Sequence, residues 1–114
     1  MATEPSSAAK DPNVGWYEYR GARFRVTRHG WTYVVSEITL PWLRGSMLAL
    51  TRDTGWSALT FRAVTRRVKR AINAEIRERQ RNGEPIDSEA YARECRGMGF
   101  KPIPERERDY RVLA

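Results

Sequence analysis

The chain has 114 residues, 40% hydrophobic and 31% charged, which allows one modest core and is too short for two. No window approaches the roughly 18 uninterrupted apolar residues of a membrane span, and the lone Cys95 excludes an internal disulfide. The net charge of +7 is unevenly placed: residues 16 to 81 hold 14 basic and 5 acidic side chains, while the two ends are each slightly acidic.

Residues 1 to 15 contain two prolines and no apolar period, so they are expected to form a disordered arm. They also lack the apolar stretch of a secretory signal, which leads to the expectation of a cytoplasmic protein. Residues 16 to 38 alternate aromatic or β-branched side chains with polar ones, the pattern of half-buried strands. Turns at Gly21-Ala22 and His29-Gly30 fold them into a three-stranded antiparallel meander. In that register Arg20 faces Arg23, Tyr19 faces Phe24, Arg28 faces Trp31 and Val26 faces Tyr33. One face then carries Tyr17, Tyr19, Phe24, Val26, Trp31, Tyr33 and Val35. The other carries Glu18, Arg20, Arg23, Arg25, Thr27, Thr32, Val34 and Ser36. The first face wants a core and the second wants water or an anion.

Residues 39 to 56 fit neither period, because Pro41 and Gly45 interrupt Leu40, Trp42, Leu43, Met47 and Leu48. They read as an irregular apolar segment, mainly buried. Residues 57 to 82 form an amphipathic helix with Phe61, Val64, Val68, Ile72 and Ile76 on one side, ended by Asn82-Gly83. Its other side is basic: Arg62, Arg66, Lys69, Arg70 and Arg77. A shorter helix over 87 to 96 has Asp87 as N-cap, Ile86 and Tyr91 as a hydrophobic staple, and Gly97 as its stop. Residues 105 to 114 read as a charged tail. The expected fold is therefore α+β: a single domain over 16 to 104, with a three-stranded antiparallel meander packed on one long amphipathic helix and a short C-terminal helix.

Catalytic constellations are sparse. With one histidine and one cysteine the chain lacks the four nitrogen or sulfur ligands of a zinc site, and it has neither common glycine-rich nucleotide cradle. No enzyme activity, metal, cofactor or small-molecule substrate is expected. The basic surfaces carry the functional expectation. Of the 21 basic residues 18 are arginine, whose flat donor fork suits phosphate and guanine. Arg20, Arg23 and Arg25, with Thr27 and Thr32, make one candidate nucleic-acid surface. Arg62, Arg66, Lys69, Arg70 and Arg77 make a second, which cannot touch the same straight duplex if the helix backs the sheet. Charge alone also suits an acidic protein partner, and an exposed patch of Trp42, Leu43 and Met47 would favour that alternative. A membrane role is disfavoured because the sheet needs the helix's apolar stripe.

The run Tyr19-Arg20-Gly21-Ala22-Arg23-Phe24-Arg25, then Gly30-Trp31 and Glu37-Ile38 and an Ala/Arg-rich helix, resembles two families. These are the DNA-binding domains of plant ethylene-response factors and the arm-binding modules of integrases. The resemblance covers about residues 17 to 76. It implies a sheet laid in the major groove of duplex DNA with the helix behind it, and Arg20, Arg23, Arg25 and Trp31 at the DNA. The short arginine-rich chain also resembles small accessory proteins of phages or mobile elements.

Overall fold

The computed structural model describes residues 11–42, 56–84 and 86–106. Its elements in chain order are β1 (Gly15–Tyr19), β2 (Ala22–His29), β3 (Thr32–Thr39), β4 (Ser57–Ala58), α1 (Phe61–Arg81), α2 (Ser88–Gly97) and β5 (Lys101–Pro102). The fold is α+β, but the expected three-stranded meander is the centre of a five-stranded sheet in the order β4-β3-β2-β1-β5. β4 adds antiparallel to β3, and β5 adds parallel to β1. Each added strand is two residues long, too short to leave an alternation in the sequence.

Both hairpin turns lie one residue from the expected places. The first loop is Arg20-Gly21, with φ of 52° and 92°, and both loop residues of a type I′ turn need this left-handed backbone. Tyr19 therefore pairs with Ala22, Glu18 with Arg23 and Tyr17 with Phe24. The second loop is Gly30-Trp31, with Gly30 at φ 62°, so Arg28 pairs with Tyr33 and Val26 with Val35. Moving a two-residue loop by one position slides the strands by two residues. Strand residues keep their faces because the side-chain period is also two. Only the residues drawn into the loops change place. Arg20 leaves the arginine face, and Trp31, expected in the core, is 83% exposed.

A β-bulge at Glu37 is a further departure. Arg25 pairs with Ser36 but Arg23 pairs with Thr39, and Glu37 takes φ 56°. The extra residue reverses the parity of β3. Ile38 and Leu40 thereby join Tyr33 and Val35 on the inner face, both at 2% exposure or less.

That inner face packs on α1. Phe61 lies between Tyr17 and Tyr33, at ring-centroid distances of 5.3 and 6.2 Å, and Val64, Val68, Ile72 and Ile76 continue the buried stripe. The helix starts at Phe61 rather than residue 57, because Ser57 and Ala58 pair with β3 and the Thr60 side chain caps the helix through the Ala63 N–H at 3.0 Å. It ends where expected, at Asn82 with left-handed Gly83 behind it.

Of the arm expected over residues 1 to 15, residues 1–10 lie outside the described part. Asp11 is tied down, accepting from Arg28 Nη1 at 2.8 Å and from the Tyr33 hydroxyl at 2.9 Å. Tyr17 donates its hydroxyl to the Asn13 carbonyl at 2.9 Å. Of the irregular segment 39 to 56, residues 43–55 lie outside the described part. Leu40 is buried, and Trp42 packs at 5.7 Å from the Tyr91 ring.

The second helix sits on the other side of the sheet. The Asp87 side chain caps it through the Ala90 N–H at 3.1 Å. Its buried Ala92 and Cys95 lie over the β1-β2 hairpin, where the Cys95 thiol donates to the Gly21 carbonyl at 3.6 Å. Burial pushes the Cys95 thiol pKa up, as suits a packing residue rather than a nucleophile. Only a glycine allows this approach: a Cβ on Gly21 would stand 2.6 Å from the Tyr91 Cβ. Among the described residues no helix is long and apolar enough to cross a membrane.

Candidate nucleic-acid interface

On the outer face β2 presents Arg23, Arg25 and Thr27, and β3 presents Val34, Ser36 and Thr39 beside them. Arg25 is exposed, while Arg23 and Thr27 are half-buried. Trp16 on β1 pairs with Arg25, and the Arg25 guanidinium lies 5.4 Å from the Trp16 ring centroid. The Arg23 guanidinium lies 5.8 Å from the Phe100 ring centroid. Trp16 and Phe100 meet edge to face at 5.8 Å. Two arginines and two aromatic rings thus form one interleaved cluster. Each flat guanidinium is attracted to the negative face of a ring.

Phe100 reaches this place through the turn after α2. Its N–H donates to the Cys95 carbonyl at 3.1 Å, and Gly99 takes φ 99° to make the turn. Beside the cluster, Trp16, Met98, Gly99 and Phe100 line a shallow depression of about 220 Å³. Trp16 is 42% exposed and Met98 54%. Trp16, Met98 and Phe100 are not among the surface residues expected from the sequence. Trp16 was detectable, because alternation puts it on the side of Glu18, away from the core. Phe100 had no comparable signal, since its position depends on how α2 docks.

The acidic groups on this face differ in role. Glu37 pairs with Arg25 at 3.4 Å, but both side chains are about half exposed, and such pairs contribute at most about 1 kcal/mol. Glu18, expected to face solvent, is 2% exposed. Its carboxylate accepts from the Gly21 N–H at 3.4 Å and from Arg96 Nη1 at 3.2 Å. Burial outweighs these bonds and pushes its pKa above the usual carboxylate range. Glu18 is an internal strut between the hairpin and α2.

Two more of the expected surface residues, Arg20 and Lys69, have different places, while Thr32 keeps its outer-face position at the start of β3. Arg20 donates from Nη1 to Asn73 Oδ1 at 2.7 Å, beside the Tyr19 hydroxyl, which donates to the same oxygen at 3.2 Å. It joins the turn to α1 instead of extending the outer face. Thr32 stands at the second turn, its hydroxyl donating to the His29 carbonyl at 3.0 Å. Lys69 is 8% exposed, and its ammonium donates to the carbonyls of Pro104 and Glu105 at 3.1 and 3.2 Å. It holds the C-terminal segment against α1 and is removed from the helix's outer stripe. Arg62, Arg66, Arg70 and Arg77 are exposed. They form a second basic surface on the opposite side of the molecule from Arg23 and Arg25.

Among the described residues no group of three or more His, Cys, Asp or Glu side chains is placed to share a metal ion. No family model, no curated protein and no solved structure matches the chain.

Proposed function

We propose that the protein is a small nucleic-acid-binding accessory protein without catalytic activity, with the outer face of the sheet as its principal contact. The observation that carries this reading is the cluster of Arg23 and Arg25 against Trp16 and Phe100. Guanidinium forks supply charge and hydrogen bonds to phosphate, and partly exposed rings supply surfaces for bases. Arg62, Arg66, Arg70 and Arg77 offer phosphate contacts to a second segment of nucleic acid. The alternative is an acidic protein partner. The exposure of Trp16 and Met98 favours it, since aromatic and methionine side chains are enriched at protein interfaces.

Binding to labelled random-sequence DNA, single-stranded and duplex, tests the proposal across a salt series. Counterion release makes the affinity fall steeply with salt. The double substitution Arg23→Gln with Arg25→Gln is expected to abolish most binding while leaving the fold intact by circular dichroism. Affinity insensitive to both salt and the double substitution sinks the proposal.

A further inference from the structure

We infer that the outer face takes single-stranded nucleic acid, with a base stacked at Trp16, rather than the major groove of a duplex. This rests on the nucleic-acid reading above and specifies its ligand. Across Arg23 four strands lie side by side, at Thr39, Arg23, Glu18 and Pro102, which at a strand spacing near 4.8 Å is about 14 Å, whereas the major groove is about 12 Å across and admits a helix or a two-stranded ribbon. α2 also stands on the same face, anchored through Arg96 to Glu18 and through Cys95 to Gly21. The arginines are therefore flanked by a helix and cannot be lowered into a groove.

In a duplex the base faces are stacked on each other, and a protein ring on an open sheet has no access to them. In a single strand they are free. Trp16 is the largest partly exposed ring on this face, and the depression it shares with Met98 and Phe100 is open and apolar-sided. Arg25 and Arg23 lie against those same rings, so phosphates flanking a stacked base come within reach of both guanidiniums. Glu37 is a half-exposed partner of Arg25, and a phosphate can replace it at little cost. Charge complementarity and aromatic access thus favour one occupant, an unpaired nucleotide segment.

The test compares Kd values for oligo(dT), oligo(U) and a mixed-sequence duplex of the same length, with wild type, Trp16→Ala and Trp16→Phe. Single strands are expected to bind at least about tenfold more tightly than the duplex. Trp16→Ala is expected to weaken single-strand binding about tenfold, the scale of one lost base stack, and to weaken duplex binding by less. Trp16→Phe keeps a ring and recovers most of the loss. The two oligonucleotides separate DNA from RNA as the source of the strand. A duplex bound as tightly as the single strands, or single-strand binding indifferent to Trp16→Ala, overturns this inference and leaves the broader nucleic-acid reading standing. Failure to bind any of the three overturns both, and binding to a polyglutamate peptide then assigns the face to an acidic protein.

Discussion

The two faces of the sheet come from the same three long strands, yet they are closed in different ways. The inner face is sealed along its length by α1, through a continuous layer from Phe61 to Ile76. The outer face is covered only at the hairpin end, where α2 packs over Gly21 and Glu18. Beyond that cover it leaves Trp16, Arg23 and Arg25 at or near the surface. The inner face buries its aromatic rings under α1, and the outer face leaves Trp16 part-exposed against the Arg25 guanidinium. An aromatic residue in a strand is therefore no sign of core by itself; what decides is whether a helix lies above it.

The sharpest way to test this difference is to remove one ring from each face. Phe24→Ala, at a position with 0% exposure, is expected to cost about 3–5 kcal/mol in urea unfolding. That is a large share of the stability of a domain this size. Trp16→Ala should cost far less, and equal losses would mean that the outer face is also core.

A smaller effect tests whether α2 is docked as described. Gly21→Ala places a Cβ 2.6 Å from Tyr91 and forces an alanine to φ 92°, with an expected cost of at least about 2 kcal/mol. Gly30→Ala is the control, since nothing lies within 4 Å of its added Cβ, leaving only left-handed strain of about 1–2 kcal/mol. Equal melting temperatures for the two variants would detach α2 from the hairpin.

The smallest effect is in pH, and the two faces should respond with opposite sign. Burial raises the pKa of Glu18 on the outer side. Its charged form is therefore disfavoured in the folded state, and stability is lost as pH rises from the ordinary carboxylate range through the raised value. Burial also acts on Asp11, but hydrogen bonds from the Asn13 N–H, Arg28 and Tyr33 outweigh it and lower the pKa. Asp11 thus contributes stability above the ordinary carboxylate range, and loses it as pH falls through the lowered value. Relative to wild type, Glu18→Gln should gain stability with rising pH and Asp11→Asn should lose it. Urea unfolding at a series of pH values would refute the assignment if both difference curves ran the same way.

Much of this arrangement follows from periodicity alone. The meander, the stripe of α1, its stop at Asn82 and the Asp87 cap are local properties of the chain, whereas α2 runs through the expected stop at Gly97 and turns at Gly99. Up to the Glu37 bulge each strand residue keeps its expected face although the register differs by two, because side chains repeat every two residues. The arginine surface was legible for the same reason: Arg23 and Arg25 had to lie opposite Phe24 and Val26. Its composition was legible only in part. Arg20 and Lys69 are basic residues in the right pattern, yet one is drawn into a turn and the other under the C-terminal segment.

By itself, then, the sequence determined the element types, the sorting of side chains into an aromatic and a basic side, and the position of the charge, because each depends on neighbours within a few residues. Tertiary structure alone decided the rest. The Glu37 bulge returns Ile38 and Leu40 to the core. β4 and β5 attach as short edges, α2 buries Glu18 and delivers Phe100 beside Arg23, and Arg20 and Lys69 leave the surface. Each of these depends on contacts between distant segments, whose pairing is set by packing and hydrogen-bond satisfaction across the whole domain rather than by any local period.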